Sequence, residues 1–268
     1  MVEICNIGVQ TMKKLIGYCG IDCEKCDARI ATRNDDNALR EKTAKLWSEL
    51  NGVEILPEMI HCEGCRVDGA KTYFCEMLCA IRKCALAKEC ETCGDCAGMD
   101  GCDTVGAIVS NDAEALNRLK EIQKRRNSMK TNLIQKAERL LTQCKVCTVA
   151  SVSEKGYPRI CVLMPLKTNG IKEFWFSTGA SGTKVRHFKS NHKSGVTFYA
   201  GGDSVTLTGN MEIVTEKAVK DDLWNVWSDF LGKHFPNGGK DDPDFCVIHF
   251  VANEATIYID GAFETFGI

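Results

Sequence analysis

The chain has 268 residues, enough for two ordinary domains that each bury a core. Hydrophobic content of 44% and charged content of 26% are those of a soluble globular protein, and no apolar run approaches the length of a transmembrane helix. With 34 basic against 36 acidic residues there is no global pull toward nucleic acid or an anionic membrane, so neither partner is expected.

The first hundred residues are unlike the rest. Of 17 cysteines, 13 fall between Cys5 and Cys102. The opening twenty residues carry Lys13 and Lys14 in a broken apolar pattern with no signal-peptide core, which predicts a cytoplasmic protein. A reduced compartment does not keep such thiols as disulfides, so their clustering points to metal.

In chain order the cysteine region offers CxxxCxxC at Cys19, Cys23 and Cys26. A helix follows over Asn37 to Leu50, carried by Ala38, Leu39, Ala44, Leu46, Trp47 and Leu50. Next come CxxC at Cys62 and Cys65, then Cys75, Cys79 and Cys84 around two short helical turns from Met77 to Ala87. CxxCxxC at Cys90, Cys93 and Cys96 closes the series, with Cys102 behind it. Two thiolates separated by two residues chelate one ion because the turn between them aims both sulfurs inward.

The candidate metal ligands are therefore Cys19, Cys23, Cys26, Cys62, Cys65, Cys79, Cys84, Cys90, Cys93 and Cys96. Soft thiolates suit zinc and iron–sulfur clusters alike. The CxxCxxC runs are of ferredoxin type, although the Cys-Pro that often ends that pattern is missing. Iron–sulfur, as [4Fe-4S], is taken first and zinc as the alternative. So little apolar material in a hundred residues predicts a fold stapled by metal. His61 reads as an ordinary exposed histidine. Cys5, Cys144, Cys147, Cys161 and Cys246 read as structural thiols, the last four in strand-like contexts.

Asn111 and Glu114 form a capping box ahead of Leu116, Leu119, Ile122, Met129, Leu133, Ala137 and Leu140 at helical spacing. Lys124, Arg125, Arg126 and Asn127 interrupt the pattern, which predicts two helices joined at a basic linker. The expected organisation is a cysteine-rich domain over 1–110, a helical linker over 111–128 and a second domain over 129–268.

After Gln143 the period shifts toward two. The predicted strands are Lys145–Val152, Arg159–Pro165, Glu173–Ser177, Gly195–Tyr199, Ser204–Val214, Phe245–Phe250 and Ala255–Asp260. Lys155 to Pro158 and Thr168-Asn169-Gly170 supply turns. Helices are expected near Thr183–Lys189 and Glu216–Phe230. The fold class is α+β in two domains, the second a closed or split β-barrel with flanking helices.

Residues 174–202 hold Lys184, Arg186, Lys189, Lys193, His187 and His192 and no acidic residue. Within them Phe176 to Lys184 runs from a strand end through a hydroxyl- and Gly-rich loop into a helix start. Such a segment offers hydroxyls, free backbone amides and a helix dipole to a phosphate. The same residues also fit a solvated basic helix face, with His187 and His192 on its surface.

The run Pro158 to Met164, then Phe174-Trp175-Phe176-Ser177-Thr178, Thr183-Lys184-Val185, Asn191 and Val205-Thr206-Leu207-Thr208-Gly209 resembles the pyridoxamine 5'-phosphate oxidase-like superfamily of FMN-binding split barrels, in its general-stress-protein branch. The resemblance covers about 140 residues. It implies a homodimer with FMN in the subunit interface. It also implies that Arg159, Ile160, Cys161, Val162 and Met164 flank the flavin ring. Ser177, Thr178, Thr183 and Lys184 would hold the phosphate, and Ser204 would approach from a neighbouring strand. The oxidase has Lys at Met164 and Arg at Thr183, so this phosphate site has fewer cations, and Arg186 is the expected substitute. The oxidase's C-terminal Arg-Leu-His is absent from Gly261 to Ile268, so oxidation of pyridoxamine phosphate is not expected.

Cys19–Cys26, Cys62–Cys65 and Cys79–Ala85 resemble a family of cysteine-rich domains of unknown function with CGxxCxxC, CxGC and CxIRxCA. Together these readings predict an FMN oxidoreductase acting on an unnamed small molecule or electron carrier, its cysteine domain holding metal. A flavin- and zinc-binding sensor or interaction module is the alternative, and related barrels leave haem or a deazaflavin open as ligand. No catalytic acid, base or nucleophile stands out, as expected where a cofactor carries the chemistry.

Overall fold

A computed structural model describes residues 16–109 and 112–268. Cys5 and Asn111 lie outside the described residues. The chain divides into two compact units, with the boundary after Met129.

In the first unit Cys23–Lys25 forms a 3-10 turn leading into α1 (Asp27–Asn34). Asp35, in the left-handed conformation, ends α1. Helix α2 (Asn37–Asn51) starts where the Asp36 side chain accepts the Leu39 amide at 2.9 Å, and it stops at left-handed Gly52. A turn at Phe74–Leu78 precedes α3 (Ala80–Ala87), followed by a 3-10 turn at Cys93–Asp95 and α4 (Asp103–Val109). The sequence pattern shows α2 and α3 but not α1 or α4, which carry few large apolar residues.

Helix α5 (Ala113–Gln143) is continuous through Lys124–Asn127, where the sequence predicts a break. Basic residues are good helix formers and need only solvent on one side, so a charged run does not end a helix that lacks Gly or Pro. Asp112 caps it, its carboxylate accepting the Ala115 amide at 2.8 Å.

The first unit has two small cores. One gathers Ile81, Met99, Val105, Val109, Ala115 and Leu119 with Cys79 and Cys93; the other joins Ala28, Ala44 and Ile60 with Cys62.

The second unit is a curled antiparallel sheet. Its strands are β1 (Cys147–Val152), β2 (Pro158–Leu163), β3 (Pro165–Asn169), β4 (Glu173–Gly179), β5 (Lys193–Ala200), β6 (Asp203–Ile213), β7 (Phe245–Ile259) and β8 (Ala262–Gly267). The order is β2-β1-β5-β6-β7-β4-β3, with β8 also on β7. Strand β7 exchanges partners along its length: Phe245–Val251 pair with β4, and Glu254–Ile259 with β8. That exchange curls the sheet into a half-barrel around Phe174, Phe176, Phe198, Leu207, Ile248, Phe250 and Ile257.

Two boundaries differ from the sequence reading. Arg159–Pro165 is not one strand, because Pro165 lacks the amide to continue a ladder and instead begins β3. Conversely Asn253 and Glu254, polar enough to read as a break, face outward within one long strand. Helix α6 (Thr183–Ser190) buries Val185, His187 and Phe188. Helix α7 (Lys217–His234) lays Leu223 and Leu231 against Leu166, Phe235, Phe245 and Val247 on the outer face. Among the described residues no helix is long and apolar enough to cross a membrane.

Candidate functional site

The candidate site lies where β4 ends and α6 begins. Phe174, Phe176 and Thr178 share the core face of β4 by strand alternation, which brings the buried Thr178 hydroxyl under the first turn of α6. There the Lys184 ammonium donates to Thr178 Oγ1 at 3.0 Å. Lys184 also lies near Cys161 on β2, where its charge partly offsets the burial that raises that thiol's pKa. A cleft of about 300 Å³ opens beside it, lined by Tyr157, Arg159, Thr183, Arg186 and His187 among others.

Alternation divides the sequence-derived set. Arg159 and Cys161 point to the cleft side of β2, whereas Ile160 and Val162, 70% and 63% exposed, point to the other. Ser177 likewise faces opposite to Thr178 and lies across from Val247, on the side covered by α7. Met164 packs into that α7 cluster. Ser204 lies on the outer face of β6, between Tyr199 and Tyr258 in register. The fold therefore brings to one side Arg159, Cys161, Thr178, Thr183 and Lys184, and not Ile160, Val162, Met164, Ser177 or Ser204.

The loop between β4 and α6 differs from the expectation of free amides. The Ala180 amide donates to the Asp244 carbonyl and the Ser181 amide to Asp244 Oδ1, both at 2.8 Å. The Gly182 amide closes on the Gly179 carbonyl at 3.0 Å. These amides hold the loop's shape and are not free to bind an anion. Ser181's amide and hydroxyl keep the Asp244 carboxyl below its ordinary pKa. Asp244 is 63 residues from Ser181, so nothing local in the sequence announces it.

His187 is not the surface residue its helix pattern predicts. It is buried, and its Nδ1 lies 2.9 Å from the buried Ser151 hydroxyl of β1. The pair ties α6 to the sheet directly behind the cleft. Arg186 does reach the cleft, but its Nε lies 3.7 Å from Glu154 Oε1, an exposed pair weak enough to open for a stronger anion. His192 and His61 are exposed, as expected.

In the first unit burial raises the Cys19 thiol to about 11 and those of Cys23, Cys75 and Cys93 to about 12. The described cysteines are free thiols. Cys147 and Cys246 are buried on strands, as expected, while Cys144 is half-buried and precedes β1 rather than lying in it. Among the described residues, no three His, Cys, Asp or Glu side chains converge so as to hold a single metal ion.

The family described as pyridoxamine 5'-phosphate oxidase matches residues 133–258. A Clostridium acetobutylicum protein related to general stress protein 26 of B. subtilis (pyridoxinephosphate oxidase family) is 32% identical over 51% of this chain and 95% of its own, with a TM-score of 0.46. Through its C-terminal half, the chain belongs to the pyridoxamine 5'-phosphate oxidase family. General stress protein 26 from Bacillus anthracis is 15% identical over 51% of this chain and 98% of its own (TM-score 0.41). A haem binding protein from Mycobacterium smegmatis is 15% identical over 50% and 57% (TM-score 0.41). No curated protein matches the chain. Residues 15–107 match a family described as a protein of unknown function (DUF3795). Pyridoxamine 5'-phosphate oxidase family members typically bind FMN and are commonly dimeric.

The residues in and beside the cleft have the chemistry such a cofactor needs. A phosphate needs cations and hydroxyl donors; Arg159, Thr183 and Arg186 line the cleft together with Glu154, and Lys184 with Thr178 adjoins Thr183 at the helix start.

Proposed function

We propose that this protein is a cytoplasmic FMN-dependent oxidoreductase of the pyridoxamine 5'-phosphate oxidase family, working as a homodimer, whose cysteine-rich unit holds metal. The observation that carries the flavin reading is the Lys184–Thr178 contact at the start of α6, beside the Arg159 cleft. When bound, FMN supplies the redox chemistry, exchanging hydride or single electrons with a small substrate or carrier.

The chain's own residues bind and orient. Lys184 and Thr183 take the phosphate, Thr178 fixes the Lys184 ammonium, and Arg159 places positive charge where a reduced flavin would be anionic. Arg186 exchanges Glu154 for the phosphate and so stands in for the cation missing at Thr183. Ile160 and Val162, on the exposed face of the edge strand β2, fit a second copy of the chain. The flavin-ring positions that one protomer does not assemble would then be completed across that interface.

The test is flavin titration of wild type and Lys184→Ala. Losing a charged hydrogen-bond donor should weaken FMN roughly ten- to a hundredfold. Equal affinities would remove Lys184 from the site. Anaerobic mixing with a reduced nicotinamide then separates a turning-over enzyme from a storage or sensing protein, because only the former's flavin bleaches and recovers with substrate.

A further inference from the structure

His187 lines the cleft but has no part in the flavin reading above. We propose that His187 is a further phosphate-binding residue, its Nε2–H donating to the flavin phosphate, and that Ser151 is the positioning residue that fixes the proton on that nitrogen. The proposal rests on the flavin reading and adds to it a donor and the reason for that donor's tautomer.

The ring is held from one side only. His187 and Ser151 are both buried, and Nδ1 lies 2.9 Å from the Ser151 hydroxyl oxygen. Val185 and Phe188 anchor the same helix in the core, so packing sets where the ring sits. Nε2 has no hydrogen-bond partner among the described residues. Unlike His249 Nε2, which is buried without a partner, it is not closed off from solvent. His187 follows Thr183 by one helical turn, and both line the cleft with Arg159 and Arg186. The geometry therefore turns the free nitrogen toward that opening.

Counting protons decides what the nitrogen presents. A hydroxyl proton left without an acceptor in the interior is costly. Among the described residues Ser151 Oγ has no hydrogen-bond partner besides His187 Nδ1, so it donates there. Nδ1 is then the unprotonated nitrogen, and a neutral imidazole carries its one proton on Nε2. With the proton on Nδ1, Ser151 would only accept, its own proton would go unpaired, and a lone pair would face the cleft. The hydroxyl thus locks the ring as a donor toward an anion. The neighbouring cations are already engaged, Lys184 Nζ with Thr178 Oγ1 at 3.0 Å and Arg186 Nε with Glu154 Oε1 at 3.7 Å. His187 Nε2 gives up no contact when a phosphate arrives.

The experiment separates the two ring nitrogens. An Asn amide reaches only as far as Nδ1, whereas a Gln amide reaches as far as Nε2. His187→Asn therefore keeps a partner for Ser151 and loses the cleft donor, and His187→Gln does the reverse. Both full-length variants are titrated with FMN and with riboflavin, which lacks the phosphate. His187→Asn should bind FMN roughly tenfold more weakly than wild type, with riboflavin unchanged, and His187→Gln should keep most of the FMN affinity. The opposite order would make His187 a structural tie between α6 and β1 and overturn the proposal. Unchanged FMN affinity in both variants, or equal loss of FMN and riboflavin, would overturn it too. Wild type that binds riboflavin as tightly as FMN, with Lys184→Ala silent, would bring down the phosphate reading itself. Where both variants lose FMN alike or fail to fold, nitrogen NMR of the wild-type imidazole decides. A proton on His187 Nε2 is expected, and one on Nδ1 would sink the assignment.

Discussion

The two units solve the same stability problem with different materials. The second unit buries a large apolar cluster to which β1 and β4–β7 contribute, including four phenylalanines at or near complete burial, and a further all-apolar cluster under α7. The cysteine unit splits its apolar residues between two small clusters, and thiols are members of both. A core of the first kind pays for folding by burial alone, whereas one of the second kind is linked to whatever its sulfurs bind. A change in ligand should therefore be felt locally in one unit and a change in packing in the other.

The largest effect expected from this contrast is metal removal. Chelation of the anaerobic protein should collapse hydrogen-exchange protection across residues 16–109 while β1, β5 and β6 stay protected. Retained protection in α1 to α4 would mean that the cysteine unit stands on its apolar clusters after all. Next in size is Phe174→Ala. This ring is fully buried and lies 5.2 Å from Phe198 and 6.2 Å from Phe250, so its loss should cost the barrel roughly 3–5 kcal/mol. Urea unfolding followed by barrel-specific probes measures it, and a change under about 1 kcal/mol would show that the half-barrel collapses around the cavity.

The same contrast explains what could be read in advance. The barrel's strands were legible because Phe174, Phe176 and Thr178, or Val205 and Leu207, alternate with outward residues, and a two-residue period survives local noise. The segment proposed to hold a phosphate stands out because its hydroxyls, glycines and Lys184 are close together in the sequence. What escaped depends on distant partners. Asp244 meets Ser181 because β7 pairs with β4, and the buried His187 finds its polar partner in Ser151 of β1. The resemblance supplied a roll of ten flavin residues, but alternation lets one protomer assemble five of them, so the remainder depends on the proposed dimer. In the cysteine unit the motifs were plain and the short helices between them were not, since α1 and α4 present little periodic apolar pattern.

The smallest predicted effect concerns how far the loop between β4 and α6, proposed to lie at the flavin phosphate, depends on Asp244. Its carboxylate accepts the Ser181 amide, and Ser181 holds its pKa below the ordinary carboxylate value. A group whose folded pKa is lowered contributes its stabilisation in full above the unfolded value, and loses it as pH falls through the folded one. At neutral pH the loop should therefore be held, and Asp244→Ala should speed exchange of the Ser181 amide and weaken FMN a few-fold. Acidifying wild type through and below the ordinary carboxylate range should bring its loop to the variant's behaviour, whereas Asp244→Ala should show no such step. An identical acid response in both proteins would mean that another carboxyl controls the loop. Since Gly179 leaves 2.7 Å between a would-be methyl and Asp244 Oδ2, Gly179→Ala should displace the carboxylate and mimic Asp244→Ala at every pH. Agreement between the two variants would show that the geometry of the proposed anion site is set from Asp244, just ahead of β7, and not from the loop residues that the sequence makes conspicuous.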